Sequence, residues 1–212
     1  MTIYKPTDSE MTSFCKGMIN MYKYGNDLGP DLMVFPLRGA YPFYACYRRM
    51  SEIEGKDMPK SELPPLGTCI DMGQKMRRGL TKPEKYQMIN STFDEFFKEG
   101  NGEKTILLVD EVFNGGTILT HHHMMNRYLY EFQPGSKLNV CAIEDSSHEQ
   151  RSKYRNRANK FGYHTVRVAS LFPMDREQFL PTVRKNSDFS VEIEDDKMGE
   201  ILENLDRIYQ WE

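Results

Sequence analysis

The segment KTILLVD, residues 104–110, is almost unbroken apolar sequence of strand length. A strand that carries apolar side chains on both faces must be covered on both, as in a parallel sheet held between two helical layers. The neighbouring segments fit that demand. LMVFP (32–36), GTCIDM (67–72), KLNVCAIED (137–145) and HTVRVASLF (164–172) read as further strands. Between them lie segments with apolar residues at helical spacing. Residues 8–24 place Met11, Phe14, Cys15, Met18, Ile19 and Tyr22 on one stripe, before GNDLGPD breaks the run. Helices are also expected around Tyr44 to Met50, from Tyr86 to Phe97 with a stop at Gly100, over 117–132 and over 147–160. The tail segment KMGEILENLDRIYQWE carries Met198, Ile201, Leu202, Leu205, Ile208 and Tyr209 on one face. Residues 51–65, polar and punctuated by proline, read as a loop. Strands alternating with helices predict an α/β fold with a central, mainly parallel β-sheet flanked by helices.

Composition narrows the function. A chain of 212 residues with 39% hydrophobic and 12% aromatic content can fill the core of a single domain. Its net charge of −3 offers no general attraction to nucleic acid or to anionic membranes. No apolar run approaches the length of a membrane span, and Met1 is followed by the polar TIYKPTDSE rather than a leader-type segment. The four cysteines, Cys15, Cys46, Cys69 and Cys141, form no CxxC pair. Three lie in apolar segments and read as buried thiols of a cytoplasmic protein.

The chemistry is concentrated where the 104–110 strand ends. In a parallel sheet, ligands sit at the carboxyl ends of the strands, against helix N-termini. Asp110 and Glu111 stand there, followed by Val112, Phe113 and the turn Asn114-Gly115-Gly116-Thr117 leading into a helix. Glycines let backbone N–H groups approach a ligand closely, and a helix N-terminus favours an anion. Carboxylates repel a bare phosphate but suit sugar hydroxyls or a bound Mg²⁺. Together they point to a phosphorylated sugar. A Walker A loop requires a lysine after its glycines, and a dinucleotide loop requires GxGxxG; neither is present here.

An apolar strand, two acids, two apolar residues, a small polar residue and Gly-Gly-Thr resemble the phosphoribosyl pyrophosphate (PRPP) motif of type I phosphoribosyltransferases. A second stretch, Phe35-Pro36-Leu37-Arg38-Gly39-Ala40, follows an early strand and resembles the pyrophosphate loop of the same family. The resemblance implies a Rossmann-like core over about 28–172, with a small hood built from 1–27 and 173–212. It implies that Asp110 and Glu111 hold the ribose 2′ and 3′ hydroxyls. Residues 112–117 would cradle the 5′-phosphate, with the Thr117 hydroxyl contributing. Leu37, Arg38 and Gly39 would hold pyrophosphate, and Mg²⁺ would arrive as the PRPP complex. The implied reaction passes the 5-phosphoribosyl group to a nucleobase or related nitrogen with release of pyrophosphate, in a homodimer whose partners are small molecules. Asp110, Glu111 and Arg38 would carry it. The alternative on the same fold is a non-catalytic PRPP or nucleotide sensor. Two departures stand out. The loop is one residue shorter than is usual, and Asn114 stands where purine-using members often place an acidic base; a neutral amide cannot accept that proton.

Other polar stretches have assignments of lesser weight. The basic segment QKMRRGLTKPEK (74–85) is the candidate lid, through Lys75, Arg77 and Arg78. Phe172 and Asp175, after the last strand, are candidate contacts to the acceptor base. His121-His122-His123 does not read as a metal clamp, because consecutive helical residues point about 100° apart. The run RSKYRNRANK (151–160) follows EDSSHE, so its charges match a helix dipole and read as a solvated helix.

Overall fold

The computed structural model describes residues 7–37, 39–64, 66, 81–98, 102–112, 116–146, 154–169 and 198–210, and the backbone of 70–71, 77–78, 152–153, 182–185 and 191–194. In chain order the elements begin with α1 (Asp8–Leu28), β1 (Leu32–Val34), α2 (Tyr41–Glu54), β2 (Lys60–Glu62), β3 (Ile70–Asp71) and β4 (Arg77–Arg78). Next come α3 (Lys82–Lys98), β5 (Thr105–Val112), α4 (Gly116–Phe132), β6 (Lys137–Asp145), α5 (Ser152–Phe161) and β7 (His164–Val168). The chain closes with β8 (Thr182–Lys185), β9 (Val191–Glu194) and α6 (Met198–Tyr209). Five strands form one all-parallel sheet in the order β2-β1-β5-β6-β7, with helices on both faces.

The apolar run of β5 supplies both faces, as expected. Leu107 and Val109 join Cys141, Ile143, Val166 and Val168 under α1, α2 and α6. Ile106, Leu108 and Val112 join Val140 and Ala142 under α3, α4 and α5. Strand alternation thus divides one sequence between two cores. The α1 layer lies close: a Cβ on Gly17 would meet Val168 Cγ1 at 2.4 Å. At the same crossing the Ala169 N–H donates to Ser13 Oγ at 2.7 Å. The tail helix docks through Met198, Ile201 and Leu205, as its stripe requires. Arg49 of α2 holds Asp206 of α6 through Nε at 2.9 Å and through Nη2 at 2.6 Å. Glu54, at the end of α2, accepts from Tyr22 of α1, from Tyr209 of α6 and from Lys56. Those donors, Lys56 first and then Tyr209, hold its carboxyl down at about 2.

Several boundaries differ from expectation for physical reasons. The first helix continues through Gly25 to Leu28 and stops at Gly29, whose φ of 58° is left-handed. Gly25 serves packing instead, since a Cβ there would meet the Tyr47 ring at 2.7 Å. The stretch 51–65, expected as loop, contains edge strand β2, whose Ser61 pairs with Met33. An edge strand gains its order from backbone pairing and needs no apolar run. Of GTCIDM the described residues are Ile70–Asp71, which pair antiparallel with Arg77–Arg78 in a separate small sheet. Among the described residues between the two motifs, the strand of the main sheet is β2. Helix α3 begins at Lys82 rather than at Tyr86, because Thr81 and Glu84 form a reciprocal cap. No helix among the described residues is long and apolar enough to cross a membrane.

Candidate functional site

The register pairs Val34 with Leu108, where β1 ends. Asp110 and Glu111 lie beyond it, flanked on the other side by Ala142 and Ile143 of β6. They stand at the carboxyl edge of the sheet, above the turn that joins β1 to α2. Since β5 stays extended through Val112, the two acids point to opposite faces.

Asp110 turns toward α4 and is only 3% exposed. Its Oδ1 accepts the Glu111 N–H at 2.8 Å, and its Oδ2 lies 3.1 Å from His121 Nδ1. Which of the two groups donates in that bond depends on the imidazole tautomer. His121 is 1% exposed, and among the described residues its Nε2 has no hydrogen-bond partner. Both oxygens of Asp110 are thus engaged inside the protein.

Glu111 turns the other way, toward the PLRGA turn, and is half-buried. A Cβ on Gly39 would lie 2.5 Å from its carboxyl carbon and Oε1. That contact brings together two stretches more than 70 positions apart, and it explains a glycine after Arg38 by close approach. The turn is fixed by its backbone: Leu37 N–H donates to Pro64 O at 2.9 Å, and Ala40 N–H to Pro36 O at 3.3 Å. Helix α2 follows with no side-chain cap at Ala40. Gly116 and Thr117 form the first turn of α4, where the Thr120 hydroxyl donates to Gly116 O at 2.8 Å. Arg38, Phe113, Asn114, Gly115, Lys75, Phe172 and Asp175 lie outside the described residues, and Arg77 and Arg78 are described as backbone only.

The histidine run separates as helical geometry requires. His121 serves Asp110. His122 packs between Phe161 and Tyr163, at ring distances of 5.0 and 5.1 Å. Burial first, and the neighbouring His123 second, hold it below the ordinary imidazole range. His123 is exposed. Among the described residues no group of three or more His, Cys, Asp or Glu side chains is placed to hold a metal ion. Cys15, Cys46 and Cys141 are free and buried, and desolvation raises all three thiols, Cys15 to about 12 despite Arg207 nearby. They are structural.

Part of the basic run on α5 also has a structural partner. Buried Glu144, at the carboxyl end of β6, faces Arg155 Nε at 3.5 Å and Arg167 Nε at 3.3 Å. Arg155 is thereby used within the protein, in keeping with a solvated helix. What sequence reasoning missed is the link from His121 to Asp110. Its signal was present, because His121 follows the apolar Ile118 by three positions and so shares the buried face of α4.

No family model matches this sequence, and no curated protein matches it significantly. Among solved structures, a crystal structure of orotate phosphoribosyltransferase from Francisella tularensis aligns over 97% of this chain and 78% of its own, with a TM-score of 0.40 and 13% identity.

Proposed function

We propose that the chain is a phosphoribosyltransferase that binds PRPP with Mg²⁺ and transfers its 5-phosphoribosyl group to a nucleobase-like nitrogen, releasing pyrophosphate. The observation that carries this reading is the contact between Gly39 of the PLRGA turn and the Glu111 carboxylate, which places the two motifs against each other at the carboxyl edge of the sheet. A ligand lying across that contact meets a carboxylate for its hydroxyls, a turn for its pyrophosphate and the start of α4 for its 5′-phosphate. Glu111 is the acid that faces the PLRGA turn, and so the one assigned to the ribose. Asp110 orients the end of β5 through its bond to the Glu111 N–H, and it reaches a ligand only on exchanging His121 for a hydroxyl.

Among the described residues no group of three or more His, Cys, Asp or Glu side chains is placed to hold a metal ion, and the Mg²⁺ of this reading travels with PRPP. The ion supplies charge neutralisation of the departing pyrophosphate. The protein's part is positioning: Glu111 holds the sugar, the α4 N-terminus holds the 5′-phosphate, and Arg38 opposes the leaving group. We also propose the cytoplasm as the location and a homodimer as the assembly.

The engagement of both Asp110 oxygens favours a second reading, a non-catalytic PRPP sensor, because a preorganised enzyme site presents its acids to the substrate. Incubation with PRPP, Mg²⁺ and a panel of nucleobases decides between them. Pyrophosphate release with one base is expected. Tight PRPP binding without release for any base assigns the sensor, and loss of neither property in Glu111→Gln removes the site from both readings.

A further inference from the structure

A cleft of about 560 Å³ opens on the outer side of the α3–α4–α5 layer, away from Glu111. Lys82 and Tyr86 of α3, Arg157 of α5 and a stripe of α4 running from Gly116 to Arg127 line it. The α4 positions recur every three or four residues, so they form one face of the helix, different from the face His121 turns to Asp110. Leu119 and Met124 give the stripe an apolar floor.

Among the described lining residues the ionisable side chains are the basic ones of Lys82, Arg127 and Arg157 with the His123 imidazole and the Tyr86 phenol, and none is a carboxylate. Arg127 pairs with Glu131 at 2.6 Å and lies 5.0 Å over the Tyr86 ring. Lys82 and Arg157 make no ion pair among the described residues. Such a concentration of cations is unexpected in a chain of net charge −3. Lys82 is also misplaced for stability: it stands in the first turn of α3, where the helix dipole disfavours a cation. An anionic ligand removes that conflict. The volume lies in the range of small-molecule sites, well above what a lone phosphate needs, and the apolar floor suits an organic body.

We propose that this cleft is a second ligand site that takes a nucleoside phosphate, its phosphates between Lys82, His123 and Arg157 and its nucleoside against Leu119 and Met124. It touches the proposed PRPP site only at Gly116, the first residue of α4, and its other lining residues have no part in that reading. The nucleoside portion and the phosphates make separate contributions, so ADP binds more tightly than inorganic pyrophosphate.

Isothermal titration of ADP and of pyrophosphate at fixed salt tests this. The titrations are run on the wild-type chain, on the Lys82→Ala/Arg157→Ala double variant, on Arg157→Glu and on Glu111→Gln. Lys82 and Arg157 are exposed, so the variants keep the wild-type circular dichroism spectrum. ADP affinity falls at least tenfold in the double variant, falls also in Arg157→Glu, and is unchanged in Glu111→Gln. PRPP binding follows the opposite pattern, so failure of one site is distinguishable from failure of the other. The proposal is overturned if the double variant binds ADP as the wild type does, if pyrophosphate binds as tightly as ADP, or if millimolar ADP gives no binding heat.

Discussion

Replacing Gly39 by alanine separates ligand binding from stability at the proposed site. The added methyl carbon would sit 2.5 Å from Glu111 Cδ and Oε1 and 2.9 Å from Cγ, about 0.9 Å inside ordinary van der Waals contact at the first two. Gly39 is not among the glycines with positive φ, so its backbone accepts the substitution and only the side-chain contact must be relieved. The atoms in the way are the far end of a flexible side chain. Glu111 turns aside at the cost of an unfavourable rotamer, about 1 kcal/mol. For a domain of this size that lowers Tm by about 2–4 °C. Ligand binding suffers more, since a carboxylate displaced by about 1 Å no longer accepts from the sugar hydroxyls. Charge-assisted hydrogen bonds contribute about 1.5–3 kcal/mol, which is roughly 10- to 100-fold in the Kd for PRPP. Equilibrium binding of PRPP with Mg²⁺, beside thermal melts by circular dichroism, measures both quantities on one preparation. Unchanged PRPP affinity in a folded Gly39→Ala protein refutes the idea that these two stretches form one site. A loss of Tm several times larger shows that Glu111 is clamped and belongs to the framework.

Three further perturbations probe the support around the site. His121→Leu leaves the buried Asp110 side chain short of its second partner and destabilises by about 1–3 kcal/mol in urea unfolding, whereas His121→Asn, which can still hydrogen-bond, recovers part of that loss. Gly17→Ala drives a methyl into Val168 at 2.4 Å, costing about 1–3 kcal/mol by overpacking, and Val168→Ala in the same chain relieves it. Glu54→Gln acts through pH. Because the folded carboxyl is held at about 2, below its free value of 4.5, its contribution is complete above pH 4.5 and lost as pH falls toward 2. The group is partly solvated, so that contribution is about 1 kcal/mol after screening. Stability curves of the wild type and Glu54→Gln should therefore converge between pH 4.5 and 2; parallel curves across that window remove the assigned role.

The parallel sheet was legible because KTILLVD must be buried on both sides, and no half-exposed arrangement accepts it. The tail helix was legible for the same reason, its apolar stripe needing a cover. Edge strand β2 was not, because Lys60-Ser61-Glu62 is held by backbone pairing that leaves no trace in side-chain pattern. The site was legible as a linear motif but not in its orientation. Adjacent acids read as a pair on paper, whereas an extended backbone through Val112 sends them to opposite faces. Whether a strand has ended at such a point depends on neighbouring strands, and here β6 pairs with β5 to its last residue. The role of His121 is hidden in a run of three histidines, because its partner lies eleven positions earlier, on β5.

The left-hand edge of the sheet also bears on how copies of this chain can meet. β2 is three residues long and carries a lysine and a glutamate around one serine. A strand so short and charged is a poor template for adding another chain's backbone, which is how unprotected sheets seed fibrils. The strongly apolar strands, β5 and β6, are the ones kept inside. Backbone pairing between copies of the folded protein is therefore disfavoured along this edge of the sheet.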